Sequence, residues 1–277
     1  MKIIFLNIWG GKMYAPLMAF LRAAARDTDF FCLQEIFDTP PHQNIGGEGE
    51  PEKDRTVSWG GRADIYRDLC AALPDFTPYY AIAVRDFDGD YATDFPLSDG
   101  IAIFAKKDIT ILSHGDFFIA GEDWHGHDTS QTPPHKLQYV RFEKDGTPYT
   151  LAHIHGVAYP GDKLDAPERI AQSQKIIDFL VTEAGEKILG GDFNLMPDTQ
   201  SIRMIEHTGM RNLITDFRVP TTRNQLSYGH YPETERQYFA DFAFVSPAIR
   251  VTNFQVPAME ISDHLPLVLT YEDDAKI

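Results

Sequence analysis

Short apolar runs of β type recur along this chain from one end to the other, and they constrain its fold more than any other feature. Nine such runs are rich in β-branched and aromatic residues and are separated by polar, proline-containing or helical stretches. The predicted strands are residues 3–8, 30–34, 100–104, 138–142, 150–155, 187–189, 239–245, 251–256 and 265–270. Four runs with helical spacing of apolar residues lie between them, at residues 15–25, 64–73, 167–182 and 201–206.

Strands and helices do not alternate strictly along the sequence. This order predicts an α+β protein with mixed or antiparallel sheets and helices outside them. The chain has 277 residues, of which 43% are hydrophobic, so it can bury a sizeable core. Because no linker, repeat or shift of composition divides it, we expect one domain over residues 1–277.

Charge and cysteine content limit the partners and the compartment. The 25 Lys and Arg residues against 41 Asp and Glu residues give a net charge of −16, which repels nucleic acids and anionic membranes. Two cysteines without a CxxC spacing indicate a reducing compartment. No apolar stretch approaches the roughly 20 residues that span a bilayer. We therefore expect a cytoplasmic protein without stable membrane insertion.

The most informative segment follows the predicted strand at 187–189. That strand stops at two glycines, after which Asp192 and Asn194 are two residues apart and so lie on the same side of an extended chain. A carboxylate and an amide placed together can hold a metal-bound water or a phosphate oxygen. A Gly-Gly-Asp turn with Asn194 in the left-handed region explains the same residues equally well.

Several other acids and histidines also occur at strand ends. Taken singly, each has an ordinary structural explanation as a cap, a surface residue or a buried polar group. They are Glu35 after the second strand, His153 and His155 on one face of their strand, Asp241 at the start of an apolar strand, and Asp263 with His264 immediately before the last strand.

Together these residues resemble the endonuclease/exonuclease/phosphatase superfamily in their order and spacing, and the resemblance covers essentially the whole chain. The matching elements are Asn7, Gln34-Glu35, the strand at 100–107, His155, Arg169-Ile170-Ala171-Gln172, Gly191-Asp192-Phe193-Asn194, Asp241 and Ser262-Asp263-His264. The resemblance implies a four-layer α/β/β/α sandwich of two mixed β-sheets. It also implies a metal-dependent phosphoester hydrolase site at one end.

The resemblance further implies a role for each site residue. Glu35 would be the main metal ligand, with Asn7 and Asp263 nearby, and the oxygen-rich donor set favours Mg²⁺ or Mn²⁺. The catalytic residues would be Asp192, which orients or deprotonates the attacking water, Asn194, which positions the phosphoryl group, His264, oriented by Asp241, and His155, which contacts the phosphate. His153 is the alternative to His155, and Asp99-Gly100 matches the family pattern only loosely.

We therefore expect an enzyme that hydrolyses phosphoesters by in-line attack of a water. A small or lipid-derived phosphoester is slightly favoured over the alternative, a nuclease acting on DNA or RNA, because of the net charge. An alternative of another class is an inactive binding protein on the same fold. Three long polar loops, residues 39–62, 85–99 and 120–136, could enclose the site. The loop residues Trp59, Trp124, Tyr228, His230 and Tyr231 would either stack on a substrate or form small packing clusters.

Overall fold

The structure is a computed structural model that describes residues 1–40, 56–89, 91–124, 126 and 131–272. Its strands are β1 (Lys2–Asn7), β2 (Phe30–Asp38), β3 (Phe76–Arg85), β4 (Phe87–Asp88), β5 (Tyr91–Ala92), β6 (Ser98–Lys106), β7 (Ile111–Ala120), β8 (His135–Lys144), β9 (Thr147–His155), β10 (Glu186–Asp192), β11 (Arg211–Asn212), β12 (Asp241–Val245), β13 (Arg250–Gln255) and β14 (Leu267–Glu272). Its α-helices are α1 (Tyr14–Ala24), α2 (Ile65–Ala72), α3 (Pro167–Thr182), α4 (Gln200–Glu206), α5 (Leu213–Asp216) and α6 (Gln225–Tyr228). Short 3₁₀ turns lie at Trp9–Gly11 and Glu233–Glu235.

Two six-stranded sheets carry the fold. The first has the order β13-β14-β1-β2-β6-β3 and the second the order β11-β12-β10-β9-β8-β7. Each contains one parallel pair, β1 with β2 and β9 with β10, among antiparallel neighbours. Strands β4 and β5 form a separate small hairpin. The expected α+β fold with two mixed sheets is confirmed.

The alternation of side chains along β1 shows how the layers pack. Ile3 and Phe5 are buried in the cluster between the two sheets, whereas Ile4 and Leu6 are buried on the opposite face with residues of α1 and α2. On the outer side of the second sheet, Phe179 of α3 packs against aromatic side chains of β7 and β8. Helices therefore cover the outer face of each sheet, as the predicted four-layer sandwich requires.

The two longest strands that the sequence did not predict, β3 and β7, lie at sheet edges. β3 contains Pro78, which lacks the N–H that an inner strand would need. β7 alternates between partly buried and exposed residues over much of its length and contains Gly115. Edge strands need no continuous apolar run, so their sequence signal is weak. The predicted loop at 85–99 is largely the hairpin β4–β5 and the start of β6.

Candidate active site

Polar side chains from both sheets meet at one shared edge of the sandwich. Asn7 continues the inward-facing series of β1, and the parallel register places it beside Gln34, at the point in β2 where its pairing with β1 ends. In the second sheet, Asp192 ends β10 opposite His155 of β9 on one side and Asp241 of β12 on the other. The ends of parallel strands lie together at one edge, so residues far apart in sequence become neighbours.

Glu35 reaches this edge because β2 is irregular at that point. The pairing of β2 with β6 shifts between Leu33 and Ile36, and Glu35 has a φ of 58°, in the left-handed region that side chains rarely adopt. Its Oε1 accepts a hydrogen bond from Nδ2 of Asn7 at 2.8 Å. Burial, with the negative charges of Asp263 and Asp192, raises the pKa of Glu35 to about 7 against the opposing effects of Asn7 and His264.

Asp192 lies at the centre of the cluster and is 1% exposed. Its Oδ1 accepts from the backbone N–H of Asn194 at 2.8 Å, and its Oδ2 accepts from Nδ2 of Asn7 at 3.1 Å. The same Oδ2 is 3.7 Å from Nε2 of His264 and 3.9 Å from Nε2 of His155. Burial alone would raise the pKa of Asp192, but the surrounding cations, His264 first, hold it below its usual value.

His264 is held by Asp241. Its Nδ1 lies 2.8 Å from Oδ2 and 3.1 Å from Oδ1 of Asp241, which assigns the Nδ1–H as the donor and directs Nε2 towards Asp192. Burial lowers the pKa of His264, but the carboxylates of Asp241, Asp263 and Asp192 outweigh it and raise the pKa to about 9. Atoms of Asp192, Asp241 and His264 lie within 4.8 Å of one another. Because the carboxylate of Asp241 already accepts a hydrogen bond from Nδ1–H of His264, we interpret these three residues as a hydrogen-bonded group rather than as three free metal ligands.

The two candidate histidines of β9 have different surroundings. His155 lines the pocket, with its Nε2 3.8 Å from Oε1 of Glu35. His153 is fully buried between the sheets, where its ring nitrogens contact Nε2 of Gln34 at 3.1 Å and Oε1 of Gln138 at 2.9 Å. Burial and the charge of His155 lower the pKa of His153 to about 3, so it is a neutral packing residue.

Two residues that the sequence did not identify as site residues, Lys163 and Arg223, also line the pocket. Lys163 is 6% exposed, and its ammonium donates to Oδ1 of Asn194. Arg223 donates from Nη2 to Oδ2 of Asp263 at 2.9 Å. Both lie in segments without periodic patterning, and no sequence signal distinguishes them from surface cations. Asp99, matched only loosely to the family pattern, also lines the pocket, and burial raises its pKa to about 7 against the opposing charge of His155.

The donor set suits a hard divalent cation. The carboxylates of Asp192 and Asp263 lie close enough to Glu35 to raise its pKa, and the amide of Asn7 bonds to both Glu35 and Asp192. Burial is the main cause of the raised pKa of Glu35 and the neighbouring carboxylates add to it, so a bound cation would relieve their repulsion. Oxygen ligands from carboxylates and amides match Mg²⁺ or Mn²⁺ rather than a thiophilic metal.

The cluster opens into a pocket of about 980 Å³. Aromatic side chains also line this pocket and form what we call its aromatic wall: Trp9, Phe37, Trp59, Phe87, Trp124 and Tyr159. The ammonium of Lys12 lies 4.1 Å from the ring centroid of Trp9 and 4.8 Å from that of Trp59. Of the loop aromatics considered from the sequence, Trp59 and Trp124 thus reach the pocket, whereas Tyr228, His230 and Tyr231 are not among its described lining residues.

Parts of the loops expected to enclose the site, residues 41–55, 90, 125 and 127–130, lie outside the described residues. In the part of the chain that is described, none of the helices has both the length and the apolar character needed to cross a bilayer.

This arrangement defines a class of protein: an α/β/β/α sandwich with acids, amides and histidines at one shared sheet edge. The model of the Endonuclease/Exonuclease/phosphatase family matches residues 4–264, and the chain belongs to that family. A search of curated proteins found no match to the sequence.

Solved structures with the same fold span the whole chain. An endonuclease/exonuclease/phosphatase from Bacteroides vulgatus is 15% identical, with a TM-score of 0.67 over 99% of this chain and 98% of that one. The mannosyl-6-phosphatase Bt3783 of Bacteroides thetaiotaomicron is 16% identical, with a TM-score of 0.64 over 98% and 99%. The human Nocturnin catalytic domain with bound sulfate is 15% identical, with a TM-score of 0.64 over 98% and 94%. At these identities the likeness shows the fold alone.

Proposed function

We propose that this protein is a divalent-metal-dependent hydrolase of phosphoester bonds that acts on a small or lipid-derived phosphoester. One observation carries the proposal: carboxylates of Glu35, Asp192 and Asp263 converge beside a histidine, His264, that its neighbours keep cationic. A polyanionic transition state needs positive charge and oriented donors, and this pocket is built to supply both.

Glu35, Asn7 and Asp263 are the residues that would hold Mg²⁺ or Mn²⁺. When bound, such a cation supplies Lewis-acid stabilisation of charge on the phosphoryl oxygens. Among these three residues, Glu35 would be stabilised most by a bound cation, because burial and the neighbouring carboxylates disfavour its ionised form when no cation is present.

Asp192 orients the attacking water for in-line displacement at phosphorus. Its lowered pKa makes it a weak base but keeps it ionised, so its carboxylate accepts a hydrogen bond from the water and aims the oxygen. His264, fixed by Asp241, and His155 present their Nε2 atoms to the same space and stabilise negative charge on the phosphoryl oxygens. Asn194 positions the phosphoryl group. No covalent intermediate is needed.

A small substrate is favoured by the charge and by the shape of the site. The chain carries a net charge of −16, whereas proteins that grip a nucleic-acid backbone normally neutralise several phosphates with Lys and Arg. The pocket of about 980 Å³ is of the size that encloses a small molecule. One protein of the same fold is described as a mannosyl-6-phosphatase, which is consistent with a small phosphate ester.

The test is a substrate panel with metal-stripped protein to which Mg²⁺ or Mn²⁺ is added back. It contains aryl and sugar phosphomonoesters, aryl phosphodiesters, a phospholipid, plasmid DNA and a single-stranded RNA. We expect metal-dependent release of product from at least one small or lipid-derived ester. Efficient nicking of DNA without comparable turnover of any small ester would reverse the substrate assignment, and no turnover of any compound would favour a binding protein on this fold.

A further inference from the structure

Two cations that were not among the expected site residues line the same pocket as those residues. Lys163 and Arg223 both line the pocket, and their charges are close enough to influence each other. They come from different parts of the chain: Lys163 precedes α3, and Arg223 lies between α5 and α6 and bridges by its backbone to His264. Each is next to a residue already placed in the site, Asn194 and Asp263 respectively.

Arg223 has hydrogen-bonding capacity left over. Its side chain is 14% exposed, and Nη2 is paired with Oδ2 of Asp263. Its Nε is buried and has no hydrogen-bond partner among the described residues. A buried N–H of a charged group without a partner costs free energy, and the planar guanidinium matches a phosphate in a two-point contact.

Lys163 is similarly placed but more deeply buried. It is 6% exposed with a φ of 58°, and its backbone carbonyl accepts from the N–H of Met196 at 2.8 Å, which fixes the segment that carries it. The ammonium has three donors, and one is used by Oδ1 of Asn194. Asn194 is in turn anchored by its Nδ2, which donates to the carbonyl of Gly156 at 3.0 Å.

We infer that Arg223 and Lys163 form a cationic subsite that selects a phosphomonoester, with its terminal dianionic phosphate, over a phosphodiester. This inference rests on the proposed function and specifies its substrate class. A phosphomonoester presents three non-bridging oxygens and close to two negative charges at neutral pH, whereas a diester presents two oxygens and one charge. The histidines and Asn194 are enough for two oxygens, and the additional cations supply partners for a third oxygen and the second charge.

The pocket also leaves space for the rest of such an ester. Trp9, Trp59 and Phe87 belong to the aromatic wall of the same pocket. An aryl or otherwise apolar alcohol can pack against that wall while its phosphate lies at the cationic side. A diester at the same position carries one negative charge rather than close to two, so it would offer Arg223 and Lys163 less charge to pair with.

The inference is tested with a matched pair of substrates, 4-nitrophenyl phosphate and bis(4-nitrophenyl) phosphate, which share a leaving group. kcat/KM is measured with Mn²⁺ for the wild type, Arg223→Gln, Lys163→Gln and the control Arg26→Gln, an exposed site that loses the same charge. We expect the wild type to prefer the monoester. We expect Arg223→Gln and Lys163→Gln each to lower monoester turnover by about 10²–10³-fold, and diester turnover by less than about 10-fold. Arg26→Gln should change neither.

A binding measurement separates this inference from the proposed function. Titration calorimetry compares inorganic phosphate with dimethyl phosphate on the same Mn²⁺-loaded proteins. The wild type should bind inorganic phosphate more tightly, and Arg223→Gln should lose at least about 10-fold of that preference. If no ester is hydrolysed, but the wild type prefers inorganic phosphate to dimethyl phosphate and Arg223→Gln weakens that preference, the proposed function is wrong and the cationic subsite is supported. Equal losses for the two substrates, a wild-type preference for the diester, or phosphate binding unaffected by both variants would overturn the inference.

Discussion

The side-chain amide of Asn7 donates to Oδ2 of Asp192 over 3.1 Å and so connects the inner edges of the two sheets across 185 residues of sequence. The same amide donates to Oε1 of Glu35 at 2.8 Å. One neutral donor thus separates two carboxylates that would otherwise repel each other directly. The arrangement couples the charge state of Glu35 to that of Asp192.

Binding of Mn²⁺ should displace a proton from Glu35. Metal ligands bind deprotonated, and without metal the pKa of Glu35 is about 7. Metal uptake at pH 6 should therefore release about 0.9 proton more from the wild type than from Glu35→Gln, and at pH 8 only about 0.1 more. The number of protons released on metal binding is measured by calorimetry in two buffers of different ionisation enthalpy. Glu35→Gln should also bind Mn²⁺ at least about 10-fold more weakly. Equal affinity and equal proton release in the two proteins would remove Glu35 from the metal site.

Asp241→Asn should make His264 much less basic. Burial lowers the pKa of His264, and the carboxylate of Asp241 is the largest of the charges that raise it to about 9. We expect the pKa in Asp241→Asn to fall well below about 9, measured by NMR titration of the imidazole in metal-free protein. In the wild type the cationic form contributes stability that is full below pH 6.5 and is lost as the pH rises through 9. An unchanged titration in Asp241→Asn would show that the assigned hydrogen bond does not control this histidine.

Acid should destabilise the fold through His153. Its folded-state pKa of about 3 is below the unfolded value, so the unfolded chain binds the extra proton and stability is lost as the pH falls below about 6.5. Between pH 7 and pH 5 this residue should account for about 2 kcal/mol of the lost free energy of unfolding. Urea titrations of His153→Gln should show a shallower pH dependence by that amount. The exposed control His207→Gln should keep the wild-type dependence, and a His153→Gln profile parallel to wild type would contradict the assignment.

Much of this fold was predictable because its inner strands carry long apolar runs. In the structure, Asn7 follows Ile3 and Phe5 in the inward-facing series of β1, a strand that overlaps the one predicted at residues 3–8. Edge strand β3, with Pro78, gives no such signal. The expectation of a single domain stays a prediction.

The candidate site was predictable where its residues end strands. Asp192 and Asp241 stand at strand ends as expected, whereas Glu35, expected directly after the second strand, lies inside β2, which continues to Asp38 beyond an irregularity in its pairing. The structure brings all three together with His264. Lys163 and Arg223 lie in irregular segments whose path depends on tertiary packing, so sequence patterning could not place them. The choice of His155 over His153 also needed the structure, because both have the same phase along β9 and only depth in the sandwich separates them.

Turnover of Asp192→Asn, measured on the ester that the wild type hydrolyses best with Mg²⁺ or Mn²⁺, tests whether this pocket is a site of phosphoester hydrolysis. The substitution keeps the size of the side chain and removes the charge that aims the water, and the exposed control Asp145→Asn removes one charge far from any assigned role. We predict that Asp192→Asn lowers kcat by about 10²–10⁴-fold with the fold intact, while Asp145→Asn matches the wild type. Full activity in Asp192→Asn would contradict the account of this pocket as a site of phosphoester hydrolysis.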